Sequence, residues 1–245
     1  MIDRRRLLAL ATALAATACN GPVPPCGPRI VVDVGHTPDA PGTTSAAGVD
    51  ELTFNRRFAR RLDEALSALL PPGGTGTVIE TADPDPRLDR RVAALAAADP
   101  SLILSVHHDS VQERYLTRRI VDGRELTQTD AAAGFSLFVP ADTAVTADSL
   151  RAAKTIADAL LAIGERPSLH HAEPIDGENR RLLDPARGIH AGDFLKILRT
   201  ATAPAVLIEV GVIKNPAEEQ RLSDPDTIER IAGAVARAVA ASACR

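Results

Sequence analysis

An α/β domain on a largely parallel sheet is the fold that three observations predict. Apolar runs such as Ile30-Val31-Val32-Asp33-Val34 and Leu102-Ile103-Leu104-Ser105-Val106 are nearly continuous, as strands buried on both faces are. Amphipathic helical segments alternate with the first three of these runs, which is the spacing of a parallel sheet with crossover helices. The chain has 245 residues, 45% of them apolar, enough for the core of one large domain.

Residues 1–18 stand outside that domain. Arg4-Arg5-Arg6 precedes a short apolar stretch over 7–16, which is followed by the small residues Thr17-Ala18 before Cys19. The stretch falls short of the about twenty apolar residues a membrane span needs. Arg4-Arg5-Arg6-Leu7-Leu8 resembles a twin-arginine export signal, and Ala16-Thr17-Ala18-Cys19 resembles a lipoprotein cleavage box. The expectation is an exported protein of the periplasm or cell envelope, with lipidated Cys19 as a candidate membrane tether. Residues 19–28 read as a Pro/Gly-rich tether, and 29–245 as the folded domain. Cys26 and Cys244 flank that domain; in an oxidising compartment they form either one disulfide or two free thiols.

Within the domain the first strand covers 30–36, and 37–49 is a turn-rich loop with two Pro and two Gly. A helix over 50–70 places Leu52, Phe58, Leu62, Leu66 and Leu69 at helical spacing and stops at Pro71-Pro72-Gly73-Gly74. A second strand at 77–81 is followed by a helix marked by Leu88, Val92 and Leu95, and a third strand covers 102–107. Residues 111–133 are polar without a clear period and read as an insertion over the sheet edge. A strand at 134–139 and a helix over 147–163 follow, and 167–192 reads as one long loop. Two more strands are expected at 194–198 and 205–209, and an Ala-rich helix at 227–241 closes the chain.

Composition narrows the function. Aromatic residues make up 2%, Trp is absent and Tyr115 is the only tyrosine, which argues against a stacking platform for sugars or bases. A formal charge of −4 argues against nucleic acid as a partner.

His36 and His107 each close an apolar strand, so parallel pairing brings them to one sheet edge. Glu51 opens a helix nearby. Two His and one Glu with a coordination position left open is the pattern of a catalytic zinc, whereas structural sites close with four ligands and favour Cys. Glu51 also suits the positive end of its own helix. Glu209 follows Val206-Leu207-Ile208, and a carboxylate in such a run needs either a task or an ion-pair partner among the many Arg. His108 alternates away from His107 and ranks second as a ligand, while His170-His171 in its polar loop reads as solvated or as a substrate contact.

Four motifs in order then carry a resemblance: Val31-Val32-Asp33-Val34-Gly35-His36, Gly48-Val49-Asp50-Glu51, Leu104-Ser105-Val106-His107, and 204–215 with Glu209 at its centre. Together they resemble the zinc-dependent N-acetylmuramoyl-L-alanine amidases of the cell wall, over about residues 29–241. The resemblance implies a three-layer α/β fold with a six-stranded, mostly parallel twisted sheet flanked by helices, in agreement with the six strands above. It implies one Zn2+ per chain held by His36, Glu51 and His107, with Glu209 as the catalytic carboxylate. The substrate it implies is peptidoglycan or a muropeptide, cut between N-acetylmuramic acid and L-alanine. A protein activator is a further partner in some relatives, which carry an autoinhibitory helix where 111–133 lies; this segment is too short and polar to be that helix. Asp109 stands where the family pattern has Asn, and Val212 and Lys214 replace its Phe and Ser. A zinc peptidase acting within the stem peptide, and a non-catalytic wall-binding protein, are the alternatives.

Overall fold

Strand β1 (Arg29–Val34) lies inside a seven-stranded sheet, and the chain winds on both sides of it. The computed structural model describes residues 27–81 and 85–242. The expected export signal, most of the expected tether and all three cysteines, with any Cys26–Cys244 bond, lie outside the described residues. After β1 come α1 (Glu51–Leu69), β2 (Thr75–Ile79), α2 (Asp89–Ala97) and β3 (Leu102–Asp109). A hairpin of β4 (Thr117–Val121) and β5 (Arg124–Gln128) precedes β6 (Ser136–Val139) and α3 (Thr146–Ala162). Short strands β7 (Leu182–Asp184) and β8 (Ile189–Ala191) lead to α4 (Lys196–Arg199). Strand β9 (Ala205–Val212), α5 (Pro216–Ser223) and α6 (Pro225–Ser242) complete the chain.

The strand order is β2-β1-β3-β9-β6-β8-β7. The first four strands are parallel, β6 runs antiparallel to β9, and β8 returns parallel to β6. The predicted parallel α/β architecture is therefore present, with one strand more than expected.

Three expectations need correction. Residues 194–198 form no strand: Phe194 is exposed at a turn, and Ile197 and Leu198 bury themselves from the four-residue helix α4. A short apolar run fits either period, and here the helix won. Residues 167–192 are no plain loop, since they supply β7 and β8; strands of three residues are too short to show an alternation. Residues 111–133 hold the β4–β5 hairpin, turned by Asp122-Gly123 with both residues at positive φ.

Period-2 alternation divides the core. Ile30, Val32, Val34, Leu104, Val106, Val206 and Ile208 face α1, α3 and α6, while Val31, Ile103, Phe138 and Leu207 face α2 and α4. On α1 the buried stripe is Leu52, Phe54, Phe58, Leu62 and Leu66, with Leu69 left exposed. Each such side chain contributes roughly 1.5–3 kcal/mol on burial, so packing rather than propensity fixes the helix.

The same alternation turns polar residues toward the α2 side. Asp33 pairs in register with Ser105, and His107 with Glu209. Residues one step apart on these strands point to opposite faces, so Asp33, Ser105, His107 and Glu209 share the face whose helical cover is thinner. The site is built there, at the carboxyl ends of β1, β3 and β9.

Candidate metal centre

His36 lies just past β1, where Gly35 donates its amide to the Val106 carbonyl at 2.9 Å. His36 has φ 70°, a left-handed backbone that costs a non-glycine residue about 1–3 kcal/mol. Arg91 from α2 offsets that cost. Its guanidinium is buried, donates to the His36 carbonyl and to Thr81 Oγ1, and sits 3.5 Å from Asp33 Oδ1. Ser105 Oγ donates to the other Asp33 oxygen at 2.6 Å. Replacing Arg91 by Met is therefore expected to leave a buried carboxylate and a carbonyl short of a partner. Thermal denaturation of Arg91→Met should show a loss of about 3 kcal/mol or more; a loss near zero would show that the Asp33–Arg91 pair does not fix His36.

Glu51 opens α1 at the same edge and is buried. Its Oε2 lies 2.9 Å from His36 Nε2 and its Oε1 3.1 Å from His107 Nδ1. The His36 and His107 rings meet edge to face, centroids 4.9 Å apart. The amides of Thr43 and His108, each at 3.2 Å, and the Asn55 side chain hold the same carboxylate. Burial opposes ionisation of Glu51, but hydrogen bonds from His107 and His36 override it and hold the group well below the usual carboxylate range.

These residues fit a divalent cation. Two imidazoles and one carboxylate offer atoms all within 4.8 Å of one another. Two glycines clear the space around them. A Cβ on Gly35 would meet the His107 ring at 2.5 Å, and one on Gly42, at φ +83°, would strike Glu51 Oε2 and the His36 ring. Gly42→Ala is accordingly expected to weaken metal retention by about 10–100-fold, the usual effect of disturbing a ligand's support. Competition with a chromophoric chelator measures it; unchanged affinity would show that Gly42 does not shape the set.

His108 points the other way, as strand alternation requires. It packs against Phe54 and Phe58, and its Nδ1 lies 2.7 Å from Asn55 Oδ1, where it acts as donor. Burial lowers its pKa to about 3, so it is a neutral strut under Asn55 and Glu51.

Glu209 lies across the sheet from His107. It is half-buried, yet its Oε2 is closed to solvent and has no hydrogen-bond partner. The ion-pair alternative for this carboxylate finds no counterpart among the described residues. Burial, then the charges of Asp109 and Glu51, push its pKa well above the usual value. His36, His107 and Glu209 all line one groove of about 560 Å³, with Arg91, Asp39 and Lys196 on its walls.

The His170-His171 pair is not solvated. Both rings are largely buried and their centroids are 3.9 Å apart. His171 lies between Asp109 and Glu178, at 2.8 and 2.9 Å. Burial acts to lower its pKa, but the Asp109 charge and the two carboxylate hydrogen bonds raise it to about 9. Composition alone reads 167–192 as polar loop; the carboxylates that bury this pair come from β3 and from the loop's own turn at Glu178. His190, also unassigned from sequence, is fully buried on β8 and stacks on Phe138.

Fold and geometry define a three-layer α/β domain with a candidate metal centre and an unpaired carboxylate at the carboxyl edge of its sheet. The family model described as N-acetylmuramoyl-L-alanine amidase matches residues 30–241. The chain belongs to that family and to its enzyme class. The N-acetylmuramoyl-L-alanine amidase Rv3717 of Mycobacterium tuberculosis is 24% identical over 257 residues, spanning 96% of this chain and 94% of the relative. Among solved structures, the amidase Ami1 of Mycobacterium smegmatis superposes with a TM-score of 0.68 at 22% identity, covering 89% of this chain and 98% of its own. The CwlD amidase of Clostridioides difficile, solved in complex with the GerS lipoprotein, superposes with a TM-score of 0.62 at 19% identity, covering 86% and 96%. At these identities the structural matches show the fold.

Proposed function

We propose that this peptidoglycan amidase is a zinc-dependent hydrolase that cuts the amide between N-acetylmuramic acid and L-alanine of the stem peptide. The observation that carries the reading is Glu209, which lines the groove in register with His107 beside the His36–Glu51–His107 set and has one carboxylate oxygen, Oε2, buried without a partner. A buried carboxylate oxygen without a partner is costly unless a ligand or substrate completes it.

His36, Glu51 and His107 would hold the zinc, which when bound supplies Lewis acidity for the scissile carbonyl and acidifies water. Glu209 takes the proton of the attacking water and hands it to the leaving amine nitrogen. Its pKa, raised by burial and by the Asp109 and Glu51 charges, makes it a stronger base toward that proton than an ordinary carboxylate. Glu51 would serve as an anionic ligand, held in place by the Thr43 and His108 amides and the Asn55 side chain. His108 and Asn55 fix its orientation from below, and Arg91 fixes the backbone of His36 from the side.

The peptidase alternative shares this ligand set, and the family match favours the amidase. For partners, peptidoglycan is the substrate. A lipoprotein of the kind found with CwlD is a candidate activator, and lipidated Cys19 a candidate anchor for an exported, envelope-located enzyme. No helix among the described residues is long and apolar enough to cross a membrane.

Metal dependence is tested by stripping the purified protein with a chelator and adding back single metals. Release of soluble material from peptidoglycan should stop on stripping and return with zinc. Full activity in the stripped, metal-free protein would sink the zinc reading.

A further inference from the structure

A second cluster, outside the residues that would hold the zinc or carry the proton, repeats the construction of the first. One carboxylate again faces two imidazoles: Asp109 Oδ2 lies 2.8 Å from His171 Nε2 and 3.3 Å from His170 Nε2. Glu51 faces its own two histidines at 2.9 and 3.1 Å. The Asp109, His170 and His171 side chains are 9, 7 and 13% exposed, so water does little to satisfy them.

The far side of each group is anchored. His171 Nδ1 is held by Glu178 Oε2 at 2.9 Å, and Gln112 donates to the other Glu178 oxygen at 3.0 Å. His170 Nδ1 is held by Ser168 Oγ at 2.9 Å, and the Ser110 amide donates to Asp109 Oδ1 at 2.7 Å. The Ser110 carbonyl, 3.2 Å from His170 Nε2, adds an oxygen beside the cluster. Imidazoles fixed through Nδ1 with Nε2 turned toward a shared carboxylate are how proteins orient metal-ligating histidines. Next to them His190 is fully buried, its ring 5.7 Å from that of His171.

We propose that Asp109, His170 and His171 form a second binding site for a divalent cation of the zinc or iron(II) class, separate from the His36 set. Two imidazoles and one carboxylate with open positions are the donor set these cations share. The site fastens the 168–178 segment to the end of β3, two residues beyond His107. Asp109, buried at the end of β3, supplies the anion that such a cation needs. The register of β3 against β9 slips between His107 and Asp109, which lets both side chains serve the same edge.

The test counts metal. The full chain is loaded with zinc, desalted and analysed for zinc per chain by mass spectrometry, beside Asp109→Asn, His171→Gln and His36→Ala. Close to two equivalents are expected in the parent protein and close to one in each variant. One equivalent in the parent, lost in His36→Ala and retained in the other two variants, would overturn the second site and leave the amidase centre standing. One equivalent lost in Asp109→Asn and kept in His36→Ala would support the Asp109 site and overturn the zinc reading of the first. Asp109→Asn keeps the side-chain shape, so an unchanged melting temperature separates a lost ligand from a lost fold. Cobalt(II) titration counts the same sites by absorbance: two equivalents are expected in the parent protein, and a stoichiometry left unchanged by Asp109→Asn would overturn the proposal.

Discussion

Glu209→Gln is expected to keep the parent's zinc content and melting temperature while lowering turnover on peptidoglycan by about 10²–10⁴-fold. The substitution preserves the shape of a half-buried side chain whose Oε2 makes no hydrogen bond, so the fold loses no partner. The amide also places no charge beside Asp109 and Glu51, so no loss of melting temperature is expected. The amide cannot take a proton from water or give one to the leaving amine, so the loss should fall on kcat. Near-parental turnover in Glu209→Gln would show that another group acts as the base.

His36→Ala should fail differently, losing one equivalent of zinc together with the activity. Its Nε2 lies 2.9 Å from Glu51, and its backbone is held at φ 70° by Arg91. Alanine at that φ keeps the strain and loses the donor. With one imidazole and one carboxylate left, retention should drop by at least about 100-fold, and activity should follow the metal. Zinc per chain and turnover are measured on one sample. Zinc retained at the parental level with activity gone would make His36 a substrate contact instead of a ligand. The contrast is diagnostic: Glu209 separates chemistry from metal, and His36 does not.

The parallel centre of the sheet was legible because β1, β3 and β9 are buried on both faces and leave long apolar runs. Each carries a polar residue at a telling place. Asp33 and Ser105 interrupt their apolar runs, and the structure pairs them across the sheet under Arg91. That His36, Glu51 and His107 meet was legible for the same reason, since the ends of three buried elements converge on one edge. Arg91 was not, because a helix-borne Arg looks like any solvated charge until the sheet residue beneath it is known. The far edge was harder still. Strands β7 and β8 have three residues each, and 194–198 is apolar enough for either period. The Asp109–His171–Glu178 cluster joins residues that only the fold brings together.

The most direct measurement is mass spectrometry of the soluble products after the zinc-loaded protein has digested purified peptidoglycan. Free peptides beginning with L-alanine, beside glycan strands stripped of their stems, are the expected products. Shortened stems still attached to muramic acid would contradict the amidase assignment and make the same centre a peptidase.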